Sequence, residues 1–162
     1  MLKYFTGNEG YDMNKGIYLF GPYGVGKTTL FETIKSVLGN IIIVDENKNR
    51  QSANGFISAS IEQIIEHYKR EGNIDKFGFC ERKANLCIHE FGKRINERIY
   101  GTDANSVIES LLMIRYELYQ NGYLTHVTGN YHPNDVSMPD IIKDRMIEMF
   151  NFIEFKGESL RK

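Results

Sequence analysis

The stretch Gly21 to Thr28 reads GPYGVGKT. Gly21, Gly24 and Gly26 let the backbone turn several N–H groups toward one point. The segment fits G-x-x-x-x-G-K-[ST], and it sits between an apolar run and a helical pattern, the context that phosphate cradles require. Lys27 would reach the outer phosphates as a point charge, and the Thr28 hydroxyl would ligate Mg2+. A helix starting near Lys27 adds the positive end of its dipole. Pro22, Tyr23, Val25 and Thr29 complete the segment that would bind the nucleotide. A glycine-rich turn with an accidental lysine is the bland alternative, and the flanking pattern argues against it.

Phosphoryl transfer also needs acids for the metal and for the attacking water. Two stretches compete. IIIVDE offers Asp45 and Glu46 directly after an apolar run, and LCIHE offers His89 and Glu90. In many phosphate-loop proteins the strand after the first helix lies away from the loop and the next strand carries the acid, which favours LCIHE. Glu90 would then orient water, and His89 would stand on the metal side. Imidazole is a poor partner for Mg2+, which prefers oxygen. Four arrangements stay open. Thr28 and waters hold the metal while His89 bonds a water; Asp45 compensates from a neighbouring strand end; catalysis is weak and the chain is a switch; or His89 is a core histidine.

The elements that must position these groups alternate. Gly16–Phe20 is a continuous apolar run that suits a buried strand. Leu30, Phe31, Ile34, Val37 and Leu38 follow at helical spacing, with Gly39 as the stop. Ile41–Val44 reads as a second buried strand, and residues 45–55 as a polar loop. Ser60 caps a helix striped by Ile61, Ile64, Ile65 and Tyr68. Leu86–Ile88 is a third strand. Val107 to Leu118 is a longer helix closed at Asn121-Gly122. A fourth strand lies at 124–128, a helix at 141–150 and a last strand at 152–155. This order predicts an α/β fold with a mostly parallel sheet, whose ligands bind where strands end.

The chain has 162 residues, 41% hydrophobic and 25% charged, which suits one soluble domain with a real core. A net charge of −1 gives no bulk pull toward nucleic acid or membrane. No apolar run approaches the roughly 20 residues of a membrane span. The first residues lack the apolar segment of a signal peptide. Cys80 and Cys87 fit a reducing cytosol, with Cys87 as a buried small hydrophobe. The expected location is cytoplasmic. Tyr4 and Tyr11 are read as core packing rather than as flanks of a base.

Four segments together resemble a family: KGIYLFGPYGVGKTTL, LCIHEFG, MIRYELYQNGYLTHVTGN and IIKDRMIEMFNFIEFKGESLRK. Their order is similar to that of the DnaC-type helicase loaders and the IstB-type transposition helper ATPases, both of the AAA+ class. The resemblance implies a three-layer P-loop NTPase core with little or no C-terminal helical lid, one domain over residues 1–162 with 1–15 as an extension. It implies ATP and Mg2+ as cofactors. It implies Asn130 as a polar sensor near the γ-phosphate, Arg145 as an arginine finger toward a neighbouring subunit, and Arg161 as a second sensor. Surface solubility is the plain alternative for both arginines. Partners implied are a replicative helicase or transposase, single-stranded DNA touched by Lys93, Arg94 and Arg98, and an ATP-dependent homo-oligomer.

The departures are specific. His89-Glu90 replaces an acidic pair, and Thr128-Gly129-Asn130 replaces Thr-Thr-Asn. The start of the chain leaves no room for the segment by which loaders grip a helicase. Two functions therefore stand against each other: a loader-type ATPase, and a nucleotide-dependent binding switch with little turnover. A small-molecule kinase ranks below both, because no arginine-dense lid stands near Arg50.

Overall fold

The computed structural model describes residues 10–39, 42–44, 50–52, 55–77 and 84–160, with backbone alone at 38–39, 42–44 and 50–52. Five parallel strands form the central sheet: β1 (Gly16–Phe20), β4 (Phe56–Ser60), β5 (Asn85–Phe91), β8 (Thr125–Gly129) and β9 (Phe150–Glu154). Their order is β4-β5-β8-β1-β9. Each pair is joined through helices, as parallel pairing demands. Among the described residues the α-helices are α1 (Lys27–Gly39), α2 (Ile61–Glu71), α3 (Ala104–Tyr119) and α4 (Asp140–Met149).

The side-chain alternation of β1 explains its unbroken apolar run. Ile17 and Leu19 face one layer with Phe31 of α1, Cys87 and Ile153. Tyr18 faces the other layer, where Ile64 of α2, Leu111 of α3 and Met146 of α4 pack with Ile88 and Val127. A strand covered on both faces has no polar side to show. The molecule is thus a three-layer α/β sandwich.

Local chemistry sets the helix ends. Ser60 and Gln63 form a reciprocal capping box on α2, and Gly72 closes it in the left-handed region at φ 72°. Asp103 caps α3 through the Asn105 amide. Arg115 of α3 is fully buried and ties the start of two strands, bonding Thr125 Oγ1 at 2.8 Å, Leu124 O at 2.9 Å and Ala84 O at 3.1 Å.

Two expectations change. The second strand of the central sheet is β4, within Phe-Ile-Ser-Ala-Ser, and not the Ile-rich stretch before it. That stretch forms β2 (Ile42–Val44), which pairs antiparallel with β3 (Arg50–Ser52) in a separate ribbon. An edge strand needs only part of one side apolar, so serines at 58 and 60 are tolerated at β4 and disguise it. A second small ribbon joins β6 (Arg98–Ile99) to β7 (Thr102–Asp103).

Candidate functional site

The carboxyl ends of β1 and β8 bring the phosphate-loop motif and Asn130 together. Gly21 leaves β1 at φ 152°, and a Cβ there would collide with the Phe155 carbonyl oxygen. No other residue fits that turn. Gly26 closes the loop at φ 91°, a left-handed backbone that a side chain would strain, and a Cβ there would press on Leu160 Cδ1 at 3.4 Å. Gly24 stands between them at φ 79°. The loop hands over to α1 at Lys27, whose first turn holds no acidic residue. The positive end of α1 therefore faces the loop without a carboxylate of its own, and the Gly26 carbonyl accepts from the Leu30 amide at 2.9 Å, so the helix is wound from its first residue. Lys27 is only 7% exposed. Its ammonium donates to Pro22 O at 2.7 Å, Gly21 O at 2.8 Å and Asn130 Oδ1 at 2.9 Å. These are neutral oxygens, and an anionic oxygen is the stronger acceptor for the same cation.

The rim is aromatic and wet. Tyr23 is 65% exposed, and its hydroxyl bonds that of Tyr131, which pushes the Tyr131 phenol up. Pro22, Thr28 and Thr29 are exposed, while Val25 is buried beneath the loop. Tyr18 reaches through the sheet to bond Tyr131 O at 3.3 Å, fixing the turn after β8. The chain after β9 then runs beside the loop: the Leu160 amide donates to Gly24 O at 3.0 Å.

β5 answers the question of the acids in an unexpected way. His89 is buried on the α1 side. Its Nε2 lies 3.1 Å from Glu32 Oε1, and its Nδ1 lies 3.0 Å from Thr128 Oγ1. A carboxylate only accepts, so Nε2 carries the proton and Nδ1 accepts from the threonine hydroxyl. Both ring nitrogens are thereby engaged within the protein. Burial pulls the His89 pKa down despite Glu32. The Glu32 carboxyl sits below its ordinary range, through a hydrogen bond from Ser58 first and then His89 and Lys35.

Glu90 has φ 61° at an irregularity between Ile88 and Phe91, a left-handed backbone that costs a glutamate about 1 kcal/mol. Its side chain lies beside the Glu62 carboxylate at the start of α2, on the layer opposite His89. Lys93 donates to the same Glu62 at 2.6 Å.

The remaining sequence candidates lie apart. Arg145 stacks over the Tyr116 ring at 4.7 Å and bonds Met113 Sδ, within its own chain. Arg161, Asp45, Glu46, Cys80 and Tyr4 lie outside the described residues. The basic loop is balanced by acids: Lys93 meets Glu62, and Arg94 and Arg98 act on Asp103, whose carboxyl is held down chiefly by the Asn105 backbone and side chain. Among the described residues no group of three His, Cys, Asp or Glu side chains could hold a metal on its own. No described helix is long and apolar enough to cross a membrane.

No protein-family model matches the chain, and no curated protein matches it. Solved structures do. A proposed primosome component from Streptococcus pyogenes serotype M3 superposes with TM-score 0.64 at 16% identity, over 97% of this chain and 76% of that one. AMPPCP-bound DnaA from Aquifex aeolicus superposes with TM-score 0.60 at 16% identity, over 88% of this chain. DnaA bound to AMPPCP and single-stranded DNA gives TM-score 0.61 at 16% identity over 90% of this chain. The chain shares the three-layer α/β fold of these solved structures. This chain spans only 40% of the Aquifex DnaA and 41% of the DNA-bound one.

Sequence reasoning singled out the loop, Lys27 and Asn130, which the structure brings together. It missed Glu32, Thr128 and Tyr131. Glu32 had a signal in principle: it stands four residues after Thr28, on the same face of one helix.

Proposed function

We propose that this chain is an ATP-binding AAA+ module of the replication-associated type, with Mg2+-dependent hydrolysis that is weak or stimulated by a partner. One observation carries the reading. Lys27 is a buried cation at the mouth of a glycine loop, held by three neutral oxygens that phosphate oxygens would replace. The donor set fits the group: a lysine, the positive end of a helix and the Thr28 hydroxyl suit a magnesium-bound polyphosphate. ATP would supply the transferable phosphoryl group. This chain's residues would hold it: Lys27 and residues 21–29 on the phosphates, with Gly24 and Gly26 keeping the loop backbone clear of side chains, Thr28 at the metal, and Asn130 beside the outermost phosphate.

Glu90 would orient the attacking water after turning away from Glu62. Arg145 would serve a neighbouring subunit in an ATP-dependent homo-oligomer only after leaving Tyr116. Arg161 would act as the second sensor. The neighbours' association with replication and single-stranded DNA supports a helicase, a transposase or DNA as the partner of a cytoplasmic protein. A second reading, a nucleotide-dependent switch with little turnover, is favoured by His89, which gives the metal side no acid from β5.

The test is ATP binding and turnover by the native chain and Lys27→Ala. The native chain should bind ATP, and Lys27→Ala should bind about a hundredfold more weakly. Equal affinity in the two proteins would remove the nucleotide reading. Binding without turnover, even with excess Mg2+, selects the switch over the motor.

A further inference from the structure

The position toward the end of β5 that would hold the metal-side acid carries an imidazole, yet a carboxylate meets it. It comes from the helix. Thr28 and Glu32 lie four residues apart on α1, so they are neighbours on one ridge. Helical side chains lean toward the N-terminus, which tips the Glu32 carboxylate toward the turn that holds Thr28. His89 rises from β5 to meet it, with Nε2 at 3.1 Å from Oε1. Glu32 is 44% exposed, so its carboxylate, which also takes a hydrogen bond from Ser58, reaches the solvent from which an ion would arrive.

We propose that Glu32 is the carboxylate on the magnesium side of a nucleotide bound at the phosphate loop, and that His89 is its positioning residue. The acid has moved from the strand to the helix, and the strand has kept a group that aims it.

The chemistry supports this division. Magnesium at a polyphosphate is held through one or two carboxylates together with phosphate oxygens and water. An imidazole N–H bonded to a ligating carboxylate is a recurrent way to fix the direction of such a ligand. Thr128 locks the opposite ring nitrogen at 3.0 Å, so the imidazole cannot turn away. Lys35 is the competing charge. Its ammonium lies 3.7 Å from Glu32 Oε2 and donates to Ser58 Oγ at 2.6 Å. Ser58 therefore gives the lysine a second partner that it keeps when the ion arrives.

The proposal rests on nucleotide binding, and the experiment separates the two. AMPPCP affinity is measured in excess Mg2+ and in excess EDTA, and the ratio of the two is read. Glu32→Gln should lower that ratio by about tenfold, and His89→Ala should lower it too. Adding His89→Asp to Glu32→Gln should restore it, by returning an oxygen ligand to the strand end. If Glu32→Gln fails to fold, Glu32→Asp gives the same reading, because it retracts the carboxylate by one methylene. A native ratio in a folded Glu32 variant overturns the assignment while leaving nucleotide binding intact. Failure of the native chain to bind AMPPCP in both conditions overturns the nucleotide reading, and this one with it.

Discussion

His89 and His126 stand on neighbouring strands, face the same layer and lie against the same ring. Phe31 is 5.5 Å from His126 and 6.5 Å from His89, centroid to centroid. Their partners differ. His126 accepts from the Ile17 backbone amide at 3.2 Å and packs on Phe56. His89 donates to a half-exposed carboxylate at the edge of the phosphate-loop helix. The first imidazole is answered by the main chain of β1, which does not move. The second is answered by a side chain with one end in water. The same residue type, equally buried, thus becomes a fixed core group in one place and a lever at the surface in the other.

The sharpest way to break the comparison is to remove what the two share. Phe31→Ala should cost about 4 kcal/mol in a denaturant titration, since a fully buried ring leaves a cavity against both imidazoles. A loss below about 1 kcal/mol would mean that the two histidines do not share one packed layer.

Acid separates them next. Burial, with Arg115 nearby, holds the folded His126 pKa down to about 4 from the ordinary 6.5. The folded form stays neutral while the unfolded chain takes up a proton. Stability is therefore complete above pH 6.5, falls as pH drops toward 4, and changes no further below that through this group. The loss should reach about 3 kcal/mol between pH 7 and pH 4. His89 contributes with the same sign. Denaturation midpoints at stepped pH check this, and His126→Gln should flatten most of the slope. An unchanged slope in that variant would place the acid sensitivity elsewhere.

The smallest effect sharpens the contrast. His89→Ala should cost about 2 kcal/mol, because Thr128 Oγ1 is left buried without its acceptor. Glu32→Gln should cost under about 1 kcal/mol, because its end is wet. Thermal unfolding of both variants decides whether the pair is mainly structural or mainly aimed at a ligand.

Much of this was legible from the sequence, for local reasons. GPYGVGKT announces itself because its glycines, lysine and threonine act within one turn, and the positive φ of Gly21, Gly24 and Gly26 matches the freedom their spacing implied. The apolar runs of β1 and β5 show because central parallel strands are covered on both faces. β4 was hidden, since an edge strand tolerates serines that break an apolar run, and the Ile-rich stretch before it took its place. Glu32 was hidden for another reason. A glutamate on an amphipathic helix looks like a solvated charge, and its partner lies 57 residues away on another strand. The left-handed backbone of Glu90 leaves no trace in composition or periodicity. Asn130 could be named only through the family resemblance, because a lone asparagine after a strand is otherwise a turn residue.

Leu160 adds a statement about populations. It is 77% exposed, and the main-chain bond to Gly24 that ties it to the phosphate loop has a typical net worth of about 1 kcal/mol. A gap of that size divides molecules roughly five to one between fastened and loose. Held by that bond alone, a substantial minority of molecules would carry the Gly24 carbonyl unclaimed at any instant. The clasp on the loop works as a bias rather than a lock, and no outside energy is needed to open it.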